Sequence, residues 1–155
     1  MNYVEYIRGY VKDNPIILNG VSVLIFNEEN KILLQRRTYP KKNWGLPGGL
    51  MEMGESMEET GAREVFEETG LEVKELKLMN VYSGKEFYMH LPNNHKFYLV
   101  NAVYYTKKYK GTLQVDNIEG SELKFFSLNE LPEYMVVSHK RFIKDYMELE
   151  NRWKN

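Results

Sequence analysis

The 155-residue sequence predicts an α/β fold built on a mixed β-sheet. Three observations carry that expectation. Runs of β-branched and apolar residues separated by short polar turns read as hairpin strands. A single well-capped helix lies between two groups of such runs, as a crossover does in a sheet that also holds hairpins. No Pro-, Gly- or Ser-rich linker divides the chain, so residues 1–155 read as one domain.

The elements follow in order. Tyr3, Tyr6, Ile7, Tyr10 and Val11 recur on one helical face, and Asp13-Asn14-Pro15 stops that helix, which places an N-terminal helical segment in residues 1–14. Its aromatic stripe packs on the core or meets a second copy of the chain, so a homodimer is one expectation. Residues 21–26 and 31–37 read as strands of a hairpin around Asn27-Glu28-Glu29-Asn30. Trp44-Gly45-Leu46-Pro47-Gly48-Gly49 is too rich in Gly and Pro for regular structure. Ser56 with Glu59 forms a capping box, and Gly70 stands where a left-handed C-cap belongs, so a helix is expected over 57–69. Strands are expected over 73–81 and 97–105, with a polar, aromatic segment 82–96 turning near Leu91-Pro92-Asn93-Asn94. Residues 123–126 form a short strand, and Glu130-Leu131-Pro132 a brief helical turn. Phe142, Ile143, Tyr146, Met147 and Trp153 fall near one face of a C-terminal helix over 138–151.

Composition narrows the function. With no cysteine, thiol catalysis, Cys-ligated zinc and disulfides are excluded. A net charge of −1 disfavours bulk electrostatic binding of nucleic acid. No apolar run approaches the roughly 20 residues that span a bilayer, and Met1 to Arg8 lack a secretory pattern, so the expectation is a cytoplasmic protein without a membrane partner.

The informative stretch is 49–71. On a helical wheel Glu64, Glu67 and Glu68 gather within one third of the circumference, with Ala62, Val65, Phe66 and Thr69 opposite. Like charges so close repel and raise one another's pKa, so the arrangement gains a purpose when a cation sits there. Hard oxygen ligands suit Mg²⁺ or Mn²⁺ rather than zinc. The helix follows a Gly-rich loop whose backbone permits close approach and offers a further carbonyl oxygen. A solvated acidic face is the alternative, and for Arg63, beside the cluster, the alternative is a structural ion pair.

Gly49, Glu55 and then Arg63-Glu64-Val65-Phe66-Glu67-Glu68-Thr69-Gly70-Leu71 resemble the Nudix box, G-x5-E-x7-R-E-U-x-E-E-x-G-U with U apolar, at all nine defined positions. Trp44 to Gly49 also resembles the usual approach to that box, and weaker likeness extends over 20–132. The resemblance to the Nudix hydrolase superfamily, MutT-like members included, implies an α/β/α sandwich with a mixed sheet. It implies Mg²⁺-dependent hydrolysis, with Mn²⁺ as a substitute, of the pyrophosphate bond in a nucleoside diphosphate linked to another group. That class covers nucleoside triphosphates, ADP-ribose-like compounds, nucleotide sugars and dinucleoside polyphosphates. Carried over by position, Glu64, Glu67 and Glu68 are the expected metal ligands, joined by the Gly48 carbonyl. Glu55 would support the loop–helix geometry and Arg63 would orient the carboxylates. A further acid after the last long strand is expected at Glu119, with Glu122 as second choice. The general base is Glu64 or Glu119.

Substrate contacts are less marked. Arg36, Arg37, Lys41 and Lys42 precede the Gly-rich loop and could meet phosphates, although strand alternation turns Arg36 and Arg37 to opposite faces. Trp44, Phe87 and Tyr88 are candidates for stacking on a base. Where some Nudix subgroups carry a proline associated with ADP-ribose, this chain has Glu86; Tyr88 fits a position associated with dinucleoside polyphosphates. His90, His95 and His139 are scattered and read as structural or exposed. Two further functions compete: removal of pyrophosphate from RNA 5′ ends, with 36–42 as part of an RNA track, and a non-catalytic Nudix-fold nucleotide-binding module.

Overall fold

A computed structural model describes residues 1–39 and 42–155. Three helices are present: α1 (Tyr3–Val11), α2 (Met57–Thr69) and α3 (Val137–Lys154). Ten strands accompany them: β1 (Ile16–Ile25), β2 (Ile32–Arg37), β3 (Trp44–Gly45), β4 (Gly48–Leu50), β5 (Glu72–Lys74), β6 (Lys77–Tyr82), β7 (Tyr88–His90), β8 (Lys96–Thr106), β9 (Lys108–Lys110) and β10 (Gly120–Phe126). One 3₁₀ turn spans Lys85–Phe87.

The main sheet runs β4-β1-β8-β6, with β7 also paired to β8. β1 and β8 are parallel in unbroken register from Ile16–Phe97 to Ile25–Thr106, and the other pairings are antiparallel. The sheet is therefore mixed. A second sheet runs β10-β2-β3, and β5 pairs with β9. Alternation along β1 explains the layering. Val21, Val23 and Ile25 join Val65 of α2 in one apolar cluster. Leu24 and Phe26 join Phe142, Ile143 and Tyr146 of α3 in another. β1 is thus covered on both faces, which is the arrangement of an α/β/α sandwich. Each fully buried Leu, Ile or Phe contributes about 1.5–3 kcal/mol relative to exposure.

α2 begins and ends where its local chemistry directs. The Ser56 side chain accepts from the Glu59 N–H at 3.1 Å, and the Glu59 carboxylate accepts from the Ser56 N–H at 2.7 Å. Gly70 takes a left-handed φ of 77° and returns its N–H to the Phe66 carbonyl at 2.9 Å.

Four expectations are corrected. The hairpin over 21–37 keeps its turn, with Asn27 N–H donating to the Lys31 carbonyl at 3.0 Å, but β1 and β2 share only the isolated bridge Phe26–Ile32. β1 pairs with β8 and β2 with β10, because each strand finds a longer partner elsewhere. The strand over 73–81 is broken at Glu75, whose φ of 51° turns the chain from one sheet to another. The Gly-rich stretch is partly regular, since its β3 pairs with β2 and its β4 pairs with β1. The buried side of α2 is rotated from the expected one: Thr60, Gly61, Val65, Glu68 and Thr69 are buried, whereas Phe66 is 55% exposed.

Replacing Ser56 by Ala should lower the unfolding free energy by about 1 kcal/mol in a urea titration. An unchanged midpoint would show that the capping box does not hold α2.

Candidate active site

The rotation of α2 decides which carboxylates meet. Glu68 lies on the buried face and is 2% exposed. Glu64 sits one turn earlier at the edge of that face, its side chain 12% exposed. Glu119, in the loop before β10, approaches them from the second sheet. Oxygens of Glu64, Glu68 and Glu119 all lie within 4.8 Å of one another. Glu67 is turned outward, its side chain 56% exposed, and pairs with Arg63 instead.

Desolvation and crowding act on this cluster together. Burial, then hydrogen bonding with Glu119, push the Glu68 carboxyl up to about 9, opposed by the Gly48 N–H at 3.0 Å and by Arg37. Burial likewise raises Glu64, against the pull of the Arg63 guanidinium. Oxygen-only donors, two of them buried and repelling, fit a hard divalent cation and leave it no soft ligand. Gly48 donates its N–H to the Glu68 carboxylate, which ties the Gly-rich loop to α2.

Arg63 organises the outer side. Its Nε donates to Glu55 at 2.5 Å, and one terminal nitrogen donates to Glu55 and to the Leu50 carbonyl, each at 3.0 Å. The other donates to Glu64 at 2.8 Å and to Glu67 at 3.2 Å. The guanidinium therefore ties the Gly-rich loop to α2 and fixes one oxygen of Glu64. These bonds bring the Glu55 carboxyl down to about 2, and Thr60 and the Glu52 N–H also donate to it. Gly49 leaves room for the arrangement: a Cβ there would lie 2.3 Å from Glu64 Cδ.

The cluster opens onto a cleft of about 470 Å³. Its polar lining includes Glu64, Glu119 and Arg37, with Ser22, Asn101 and His139. Phe87, Leu91, Leu99 and Phe142 supply its apolar lining, and Asn2 and Val4 also line it. Of the substrate candidates, Arg37 and Phe87 line this cleft. Arg36 turns to the other face and lies 3.7 Å from Glu122. Trp44 packs edge-on against Phe126, with centroids 4.8 Å apart, and Tyr88 packs on Tyr98 at 5.1 Å; neither lines the cleft. Glu86 is exposed and pairs with Arg141 at 2.8 Å. Lys41 lies outside the described residues.

Three cleft residues escaped the sequence. Asn101 interrupts an apolar strand, which was its one signal; it is 3% exposed and bonds Ser22 Oγ at 3.0 Å. His139 is brought in by the first turn of α3 and receives the Leu46 N–H on Nδ1 at 2.9 Å. Burial and the neighbouring Arg37 bring its pKa down to about 3.

Known proteins place this geometry in context. The NUDIX domain family profile matches residues 17–146. The chain is similar to an ADP-ribose pyrophosphatase of Methanocaldococcus jannaschii, 39% identical over 133 residues that cover 84% of this chain and 72% of that protein. It is also similar to a Bacillus subtilis protein named for 8-oxo-dGTP diphosphatase activity, 34% identical over 128 residues covering 82% and 78% of the two chains. In fold it is similar to the NUDIX domain of Shewanella oneidensis NrtR solved with ADP-ribose, with TM-score 0.70, 22% identity, and coverage of 96% and 98%. No helix among the described residues is long and apolar enough to cross a membrane.

His139 is neutral when folded, and its folded pKa lies below the unfolded value near 6.5. Its contribution to stability is complete above about pH 6.5 and is lost as pH falls toward 3, by at most about 1.4 kcal/mol per unit. Melting temperature should drop between pH 7.5 and 5.5 in the wild type and drop less in His139→Asn, which keeps an acceptor for Leu46. Equal slopes would show that His139 does not titrate against folding.

Proposed function

The chain belongs to the Nudix hydrolase family, and from that premise we propose that it hydrolyses the pyrophosphate bond of an ADP-ribose-like nucleoside diphosphate at the Glu64–Glu68–Glu119 cluster. The observation that carries this is the cleft itself. Glu64 and Glu119 of the carboxylate cluster and an arginine without a carboxylate partner among the described residues line it, together with the apolar side chains Phe87, Leu91, Leu99 and Phe142. Such a site offers charged groups to phosphates and apolar surface to a nucleoside. ADP-ribose is favoured within the class by the activity named for the M. jannaschii relative.

Glu64, Glu68 and Glu119 would hold Mg²⁺, or Mn²⁺ in its place. When bound, the ion offsets the charge of the phosphates and lowers the pKa of a coordinated water. Arg37, beside the carboxylates, binds phosphate oxygens. Glu64 and Glu119 each offer a carboxylate at the cleft for the proton of the attacking water. Arg63 and Glu55 keep Glu64 in place through the transfer. The apolar side chains of Phe87, Leu99 and Phe142 exclude water from the nucleoside. Hydrolysis of ADP-ribose with one water yields AMP and ribose 5-phosphate.

A second reading, sanitisation of oxidised nucleoside triphosphates, is supported by the name of the B. subtilis relative. Product release from ADP-ribose, 8-oxo-dGTP, dGTP and 5′-triphosphate RNA with Mg²⁺ separates the readings. The highest kcat/KM is expected for ADP-ribose, and preference for 8-oxo-dGTP would transfer the assignment. Glu68→Gln should cut turnover by at least about a hundredfold while leaving the protein folded. Turnover near that of the wild type would remove Glu68 from the metal centre.

A further inference from the structure

We propose that His139 contacts the substrate directly, its Nε2–H donating to a phosphate oxygen that Arg37 also grips. This rests on the reading of the cleft as the pyrophosphate site. The argument begins with the tautomer. Nδ1 accepts the Leu46 N–H at 2.9 Å, so it carries no proton, and in the neutral ring the hydrogen lies on Nε2. A bond from the backbone N–H of Leu46 in the Gly-rich loop to the ring thereby orients the whole imidazole.

The opposite edge of the ring is unused. Nε2 has no hydrogen-bond partner among the described residues, yet it is not among the side-chain atoms sealed from solvent without one. The residue is only 8% exposed and lines the cleft, so that exposed edge is the one facing it. A structural histidine needs only the Leu46 bond; a donor kept open toward the cleft has no structural partner.

The neighbours select the group it would meet. A Cβ built on Gly45 would fall 2.6 Å from Arg37 Nε and 3.0 Å from His139 Nδ1, which puts the guanidinium and the imidazole side by side above one glycine. Arg37 Nε is buried and unpartnered in the same place. The ring of Phe142, 5.7 Å away, belongs to the apolar lining. His139 therefore stands between the Arg37 guanidinium and the apolar ring of Phe142. A neutral donor beside a fixed cation suits a phosphate oxygen. It adds direction to the charge supplied by Arg37 and does not change with pH in the neutral range.

Two variants separate recognition from structure. The amide oxygen of His139→Asn falls near Nδ1 and can still accept from Leu46, but it offers no donor at the Nε2 position. The amide nitrogen of His139→Gln reaches the Nε2 position and leaves Leu46 without its acceptor. ADP binding with Mg²⁺ is measured by calorimetry, and ADP-ribose hydrolysis by product release, for both variants and the wild type. His139→Asn is expected to melt near the wild type, to weaken ADP and raise the KM for ADP-ribose by about tenfold, and to change kcat less. His139→Gln is expected to melt lower yet bind ADP within about threefold of the wild type.

Wild-type binding and KM in His139→Asn would overturn the proposal. So would a loss seen with ADP but not with GDP, because that pattern belongs to a contact with the base. If the wild type hydrolyses no ADP-ribose but binds ADP, the substrate reading fails, and the ADP comparison still decides the role of His139.

Discussion

Carboxylates taken out of water beside one another repel, and that constraint shapes the rest of this site. Glu64 and Glu68 are nearly buried, and Glu119 closes on them to within 4.8 Å. Without a cation the group must hold a proton, which is why Glu68 stays protonated well above the ordinary carboxylate range. The fold tolerates this because its neighbours are rigid. Arg63 and Glu55 pin Glu64 from outside, and the Gly48 N–H pins Glu68 from the loop. A cation placed among these oxygens relieves the repulsion that their burial creates.

The sandwich supplies the positions. β1, apolar on both faces, carries α2 on one side and α3 on the other. Glu64 and Glu68 come from the first of these helices and His139 from the second. The parallel register of β1 and β8 sets Ser22 near Asn101 on the cleft floor. The antiparallel pairing of β2 and β10 brings Arg37 opposite Gly120, next to Glu119. The chemistry thus gathers where four separate parts of the chain converge.

What was legible in the sequence was local. The ends of α2 were written in Ser56, Glu59 and Gly70, whose interactions span at most four residues. The box of matching residues placed Glu64 and Glu68 on a helix after a Gly-rich loop. Strand partners were not legible, because β1 and β2 look like neighbours in sequence but find better partners across the fold. The phase of α2 was also misjudged. Phe66 is apolar but exposed, and Glu68 is charged but buried, so side-chain polarity pointed to the wrong buried face. His139 was one histidine among three, and nothing near it in sequence indicates the Leu46 bond that aims its ring.

The claim on which the rest depends is that Glu64, Glu68 and Glu119 form a divalent-metal centre. The most direct measurement is diffraction from crystals soaked in Mn²⁺, with anomalous maps used to locate the ion. Anomalous density bounded by oxygens of these three residues is expected, and it should be lost in Glu68→Gln. An ion bound elsewhere, or an empty cluster in crystals that bind Mn²⁺ at other carboxylates, would contradict the metal role and leave the three carboxylates as a purely structural feature.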